Sequence, residues 1–220
     1  MRPALPVTTV GKKILMGTTG VIWLGFVIGH VAGNLLVFRG SAALNAYSAM
    51  LHASAGVLWA VRVVIYGALL LHVITGVALW RAGVRARSVA YARQVPQAAT
   101  IASRSIRWTG LLVLGFLVFH ILHLTTGTLQ PVPFQATDVY SNVTRSFRVA
   151  WVAAVYVVAM SALALHVLHG AYASFKSLGW ARLRSNPFDR RMAVVVALGV
   201  WIGFTAIPVA IFSGLLGLTR

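Results

Sequence analysis

The sequence predicts an all-α membrane protein in which five helices cross the bilayer and the first four gather into a bundle. Two observations carry that prediction. Hydrophobic residues make up 59% of the chain, with a mean hydropathy of +0.85. Several charge-free runs reach 18 residues or more, the length a helix needs to cross about 30 Å of hydrocarbon at about 1.5 Å per residue. The 220 residues then form one transmembrane domain, 1–220, with no room for a soluble catalytic module.

The spans follow in order. Span one, 14–38, begins after Lys12-Lys13 and carries a small-residue stripe at Gly25, Gly29 and Gly33, which lets helices approach closely. Span two, 56–80, ends before Arg81 and holds Arg62 near its far end. Span three, 108–129, follows Arg107 and is stopped by Pro131 and Pro133. Span four, 149–175, lies between Arg148 and Lys176. Span five, 192–216, is preceded by Asn186-Pro187 and has no histidine. The loops between spans are expected to be short.

Charge orients the bundle. Nineteen Lys and Arg stand against only Asp138 and Asp189, a net charge of +17. In a soluble chain this balance would suggest nucleic acid; in a bundle it marks cytoplasmic loops and anionic lipid or partner surfaces, so no nucleic-acid partner is expected. Arg2, Lys12, Lys13, Arg81, Arg85, Arg87, Arg93, Arg104, Arg107, Lys176, Arg182, Arg184, Arg190 and Arg191 fall on one side, and Arg39, Arg145, Arg148 and Arg220 on the other. That asymmetry places the N-terminus in the cytoplasm. The first span reads as an uncleaved signal anchor. Arg62 either snorkels to the headgroups or meets an anionic group such as a haem propionate.

Histidine placement points to chemistry. His30, His72, His120 and His166 stand near the middle of the four first spans, 42, 48 and 46 residues apart. An imidazole at bilayer depth needs a partner, and the expected partner is haem iron, two rings per iron. The chain has no Cys, so disulfides, iron–sulfur clusters, thiolate ligation and covalent haem attachment are excluded. No Asp, Glu or Cys lies in the spans to complete a usual zinc site.

Depth selects the pairs. His30 lies roughly 25 Å above Lys13 and His120 roughly 20 Å above Arg107, whereas His72 and His166 lie roughly 14–15 Å above the cytoplasmic ends. An outer pair, His30 with His120, and an inner pair, His72 with His166, follow. They make the first four helices a haem-binding bundle with two stacked irons. Leu71-His72-Val73-Ile74-Thr75-Gly76 and Leu165-His166-Val167-Leu168-His169-Gly170 place a glycine one turn after each inner histidine. Spans one and two then repeat in spans three and four. The glycines leave room for a flat macrocycle or serve close helix packing. His123 and His169 each follow a proposed ligand by three residues, and spacing alone does not choose between the members of each couple. The remaining histidine, His52, stands at the outer end of span two.

These residues resemble the five-helix, diheme cytochrome b membrane subunit of succinate:quinone oxidoreductases and quinol:fumarate reductases. The resemblance covers nearly the whole chain. It is most specific at Leu44-Asn45-Ala46-Tyr47, from Gly110 to Phe119-His120, at Leu165-His166 with His169-Gly170, and at Leu178-Gly179-Trp180. It implies ligands on each of the first four helices, paired first with third and second with fourth, and it selects His120 and His166 over their neighbours. His123→Ala is accordingly expected to leave both haems unperturbed.

The resemblance further implies two haem b groups and a quinone, menaquinone in most diheme members, in a bacterial inner membrane. A flavoprotein subunit would oxidise succinate, and an iron–sulfur subunit would pass electrons to this anchor at its cytoplasmic face. Some fumarate-reducing relatives carry a glutamate near the fourth ligand. Here Ala164 stands just before His166 and no span holds a carboxylate, which favours succinate oxidation. Tyr47 and His52 are the quinone candidates, or else a belt tyrosine and an interfacial histidine. Arg62 and Lys176 are the propionate candidates, or else interfacial anchors. Two further classes share these features: a diheme cytochrome b serving a hydrogenase or formate dehydrogenase, and a haem-free anchor or transporter.

Overall fold

A computed structural model describes residues 8–85, 101–180 and 187–216, with the side chains of all of these but 101–103 and 187–189. Arg2, Arg87, Arg93, Arg182, Arg184, Asn186 and Arg220 lie outside the described residues. Among the described residues every regular element is helical. Five helical stretches are long and apolar enough to span a membrane: Thr9–Arg39, Ala55–Arg85, Arg104–Thr125, Ala150–Ser177 and Arg190–Phe212. The chain is an all-α, multi-pass membrane protein.

Helix α1, Thr9–Asn34, starts at Thr8, whose hydroxyl accepts a hydrogen bond from the Gly11 N–H at 3.0 Å. Its far end tightens into a 3₁₀ turn over Leu35–Arg39, and Gly40, at φ 95°, turns the chain into α2, Ser41–His52. This second helix stands where only a loop was expected. It also removes His52 from span two, because α3 begins separately at Ala55 and runs to Arg85.

Helix α4, Ile101–His120, widens into a π turn over Ile121–Thr125, so the third span ends four residues earlier than hydropathy suggested. The expected loop before span four contains α5, Val139–Ser146, capped by the Asp138 carboxylate on the Ser141 N–H at 3.0 Å. Helix α6, Ala150–Ser177, ends in a Schellman motif. Gly179 adopts φ 74°, the Trp180 N–H reaches the Phe175 carbonyl at 2.9 Å, and the Phe175 and Trp180 rings pack at 6.1 Å. Leu178-Gly179-Trp180 is thus a helix stop. Helix α7, Pro187–Phe212, stops short of the expected 216, where Gly214 turns the chain at φ 77°.

The four helices that carry His30, His72, His120 and His166 form an open quadrilateral. Helix α1 packs on α3 and on α6, α4 packs on α6, and α7 lies over α6 and α1. The diagonals α1–α4 and α3–α6 are not close-packed pairs, and neither is the α3–α4 side. At one end α2, α5 and the 3₁₀ turn build a cap over the bundle, where Val37, Leu44, Val143, Phe147, Val152, Tyr156, Ile207 and Ile211 form the consolidated core. The Asn45 amide donates to Asp138 Oδ1 at 2.9 Å, while Asn45 Oδ1 accepts from the Tyr140 N–H at 3.0 Å, tying α2 to α5. Lys12, Lys13, Arg81, Arg85, Arg104, Arg107, Lys176, Arg190 and Arg191 gather at the opposite, basic end. Val63, Val64, Leu70, Leu71 and Ile74 of α3 are exposed, an apolar surface suited to lipid and not to water.

Candidate functional site

The bundle brings together the two histidine pairs that depth selected. Nearer the cap, the His30 and His120 rings meet edge to face with centroids 5.9 Å apart. Nearer the basic end, His72 and His166 meet with centroids 6.3 Å apart. Each pair reaches across a diagonal that the backbones leave open. A metal bound by two imidazole nitrogens at about 2.0–2.1 Å each, with a ring radius of about 1.2 Å, sets the centroids about 6.4–6.6 Å apart. The basic-side separation of 6.3 Å falls close to that range, and the cap-side separation of 5.9 Å lies about half an ångström short of it. Among the described residues no three His, Cys, Asp or Glu side chains converge to hold an ion, so each pair offers two nitrogens, the number an axially ligated haem takes from its protein.

Protonation of the basic-side pair follows from its neighbours. Thr19, buried on α1, points its hydroxyl back to the Leu15 carbonyl at 2.8 Å and the Met16 carbonyl at 3.1 Å, so its one proton is spent on its own helix. Its contact with His72 Nδ1 at 3.1 Å therefore has the imidazole as donor. Nδ1–H on His72 leaves Nε2 with a free lone pair, the tautomer that binds metal. Across the diagonal, His166 Nδ1 is buried without a hydrogen bond of good geometry and faces the Ile106 backbone of α4.

Each of these rings rests on a glycine of the neighbouring helix. A Cβ on Gly20 would lie 3.5 Å from His72 Cε1, and one on Gly110 would lie 3.2 Å from His166 Cε1. Thr19-Gly20 precedes His30 as Thr109-Gly110 precedes His120, with eleven residues from threonine to histidine in both. Thr109 repeats the back-bonding of Thr19, to the Ser105 and Ile106 carbonyls at 3.1 and 3.2 Å. The internal repeat thus has a stronger signature than the glycines after the histidines. Of those, Gly170 faces open space, while a Cβ on Gly76 would lie 3.2 Å from the Met16 methyl.

The cap-side pair is held differently. His30 stacks on Phe26 at 5.4 Å, and Phe204 from α7 lies 5.8 Å away, a neighbour that nothing in the spacing indicated. His120 Nδ1 lies 3.1 Å from the Tyr156 hydroxyl, and His123 Nδ1 meets the same oxygen at 2.8 Å. His123 is fully buried and stacks on Phe119 at 5.3 Å. It therefore lies beside the cap-side pair and shares the Tyr156 hydroxyl with His120. His169 is half-buried, and among the described residues it is His166 whose ring meets His72.

The remaining candidates separate. Tyr47 lies over Gly33, so close that a Cβ there would come within 2.5 Å of the ring; this puts the phenol about one turn beyond His30. His52 is exposed at the end of α2 and donates from Nδ1 to the Ser48 carbonyl at 2.8 Å. Five residues of helix set the two about 140° apart around α2, so they do not converge. The Arg62 guanidinium stacks over Trp59 at 5.2 Å, toward the cap end of α3. Lys176 Nζ lies over Tyr172 at 4.6 Å. Arg62 is half-buried and Lys176 is exposed, each with its cation over a ring of its own helix, the posture of residues that snorkel. No family model matches the chain, and no curated protein or solved structure matches it.

Proposed function

We propose that this chain is the membrane anchor and diheme cytochrome b subunit of a succinate dehydrogenase, carrying electrons from an iron–sulfur subunit to quinone, with menaquinone as the acceptor. The observation that carries the reading is the pair of histidine couples at two depths, each spanning an open diagonal with ring centroids 5.9 and 6.3 Å apart, short by a few tenths of an ångström of the separation of a bis-imidazole iron. A haem bound at such a couple exchanges one electron at its iron. His72 and His166 would hold the group nearer the basic end, and His30 and His120 the one nearer the cap. The glycine floor under the basic-side rings and the missing close contact between α1 and α4 leave room for a flat group.

The basic end, facing the cytoplasm in this reading, supplies the docking surface for the iron–sulfur subunit, with positive charge steering its approach. The flavoprotein subunit joins through that partner. At the cap, Tyr47 sits beside the cap-side pair and is the better quinone donor, because its hydroxyl can hydrogen-bond a carbonyl oxygen while His52 points elsewhere. No Asp or Glu lies in the spans, and Asp138 at the cap is committed to Asn45 and to capping α5, so the spans contribute no carboxylate for proton transfer. That absence favours succinate oxidation over fumarate reduction.

A reduced-minus-oxidised optical spectrum of the purified chain tests the proposal first. A b-type α band with two haems per chain is expected; its absence would leave a haem-free anchor. Co-purification with flavoprotein and iron–sulfur subunits that oxidise succinate separates this assignment from a cytochrome b that serves a hydrogenase or formate dehydrogenase.

A further inference from the structure

Resting on the haem reading above, we infer that Tyr156 and His123 form a one-way hydrogen-bond relay that positions His120 as a ligand. The phenol oxygen lies 3.1 Å from His120 Nδ1 and 2.8 Å from His123 Nδ1. A phenol has one proton to give, so it donates to one ring and accepts from the other. When His120 gives the lone pair of Nε2 to iron, its single N–H is on Nδ1 and points at the phenol oxygen. The phenol proton then has one outlet, His123 Nδ1, and His123 carries its own proton on Nε2, a buried atom without a hydrogen-bond partner among the described residues, so the bond from His120 Nε2 to iron must outweigh the cost of that unpaired N–H. In the reverse polarity His123 donates to Tyr156, Tyr156 donates to His120 Nδ1, and the His120 proton is forced onto Nε2, where a metal cannot bind.

All three members are fixed in place. Tyr156 is wedged between Phe116 and Phe147, with centroids 4.9 and 4.7 Å away, inside the core beneath the cap. His123 is 0% exposed. It sits within the π turn, closed by the Thr126 N–H on the Ile121 carbonyl at 3.0 Å, a widened geometry that recurs at functional sites. A ligating imidazole that donates from Nδ1 is the more basic for it and favours the ferric state. Tyr156 and His123 are thus positioning residues that act through His120.

The experiment measures haem retention and midpoint potential for both haems in the purified chain and its variants. Tyr156→Phe keeps the ring and removes the acceptor. The cap-side haem should bind about 10–100-fold more weakly and its potential should rise, while the basic-side haem keeps its spectrum and reports an intact fold. His123→Phe leaves the phenol proton no outlet except His120 Nδ1, and should weaken the cap-side haem at least as much. His123→Gln, which retains an acceptor, should restore binding. In the Tyr156→Phe background, His123→Phe should add nothing, whereas a packing role would cost the same in either background. The relay is overturned by an unchanged cap-side haem in Tyr156→Phe, or by an equal loss from His123→Phe in both backgrounds. Wild-type protein with no b-type band would overturn the haem reading itself, and the relay with it.

Discussion

The two histidine pairs have similar spacing and unlike surroundings. On the basic side, His72 donates to a threonine whose own proton is already spent on its helix, so one tautomer is set by a local feature of α1. On the cap side, His120 donates to a phenol that can also donate, and its polarity depends on a third residue in the π turn. The basic-side pair is thus fixed by adjacent backbone, while the cap-side pair depends on tertiary packing beneath α2 and α5. Similar imidazole pairs are thus held by a threonine of the neighbouring helix, itself tied to its own backbone, in one place and by an assembled core in the other.

The largest expected effect is loss of one haem at a time. His72→Ala or His166→Ala removes half of an axial pair, and the haem count should fall from two to one while the cap-side spectrum survives; His30→Ala and His120→Ala should do the reverse. Pyridine haemochromogen content and the redox difference spectrum measure both. Two unperturbed haems in His72→Ala would break the pairing.

Crowding one pair should sharpen the contrast. A methyl at Gly110 would sit 3.2 Å from His166 Cε1, tighter than an ordinary carbon contact, so the ring must tilt or α4 must shift. Gly110→Ala should destabilise basic-side binding by about 1–3 kcal/mol, read from haem release on denaturant titration, with the cap-side haem released as in wild type. Equal release of both haems would mean that the bundle, and not the ring, absorbs the strain.

A smaller effect is expected at the quinone end. Tyr47→Phe should lower quinone reductase activity several-fold while haem content and succinate oxidation with a soluble acceptor stay at wild-type values, because one donor to a carbonyl is worth about 1 kcal/mol. His52→Ala should be near neutral, since its ring is exposed and already bonded to Ser48. Undiminished quinone activity in Tyr47→Phe would move the site to the basic face, beside Lys176.

The five spans were legible because apolar length is a strong signal, and the pairing was legible because helix rise converts residue number into depth. The cap was not. Helix α5 buries Asn142, Thr144 and Ser146, and polar residues satisfied by hydrogen bonds such as Asn142 Oδ1 to the Gln135 N–H at 2.9 Å look like loop to any hydropathy reading. Helix α2 has no side-chain N-cap to announce it. The choice between His120 and His123 lies in a third dimension: both occupy one turn and share the Tyr156 hydroxyl, but the ring of His120 meets His30 while that of His123 stacks on Phe119. Thr19 and Thr109 were hidden as single hydroxyls in apolar runs, although their equal distance to His30 and His120 was available in the chain itself.

The subtlest prediction concerns those threonines. Thr19→Val keeps the shape and removes the hydroxyl acceptor for His72 Nδ1–H, leaving it the Met16 backbone alone at a cost of about 1 kcal/mol; the basic-side haem should bind more weakly and its potential should rise. Thr109 occupies the matching place in the repeat, yet its hydroxyl reaches only the Ser105 and Ile106 carbonyls, and His166 Nδ1 faces the Ile106 backbone. Thr109→Val removes back-bonds to carbonyls that the helix already engages, so its cost should stay within about 0.5 kcal/mol. Haem titration of the two variants side by side decides the matter. If Thr109→Val weakens the basic-side haem as much as Thr19→Val does, the two helices hold their rings by the same hydrogen bond in the loaded protein, and the repeat extends to how each histidine is held.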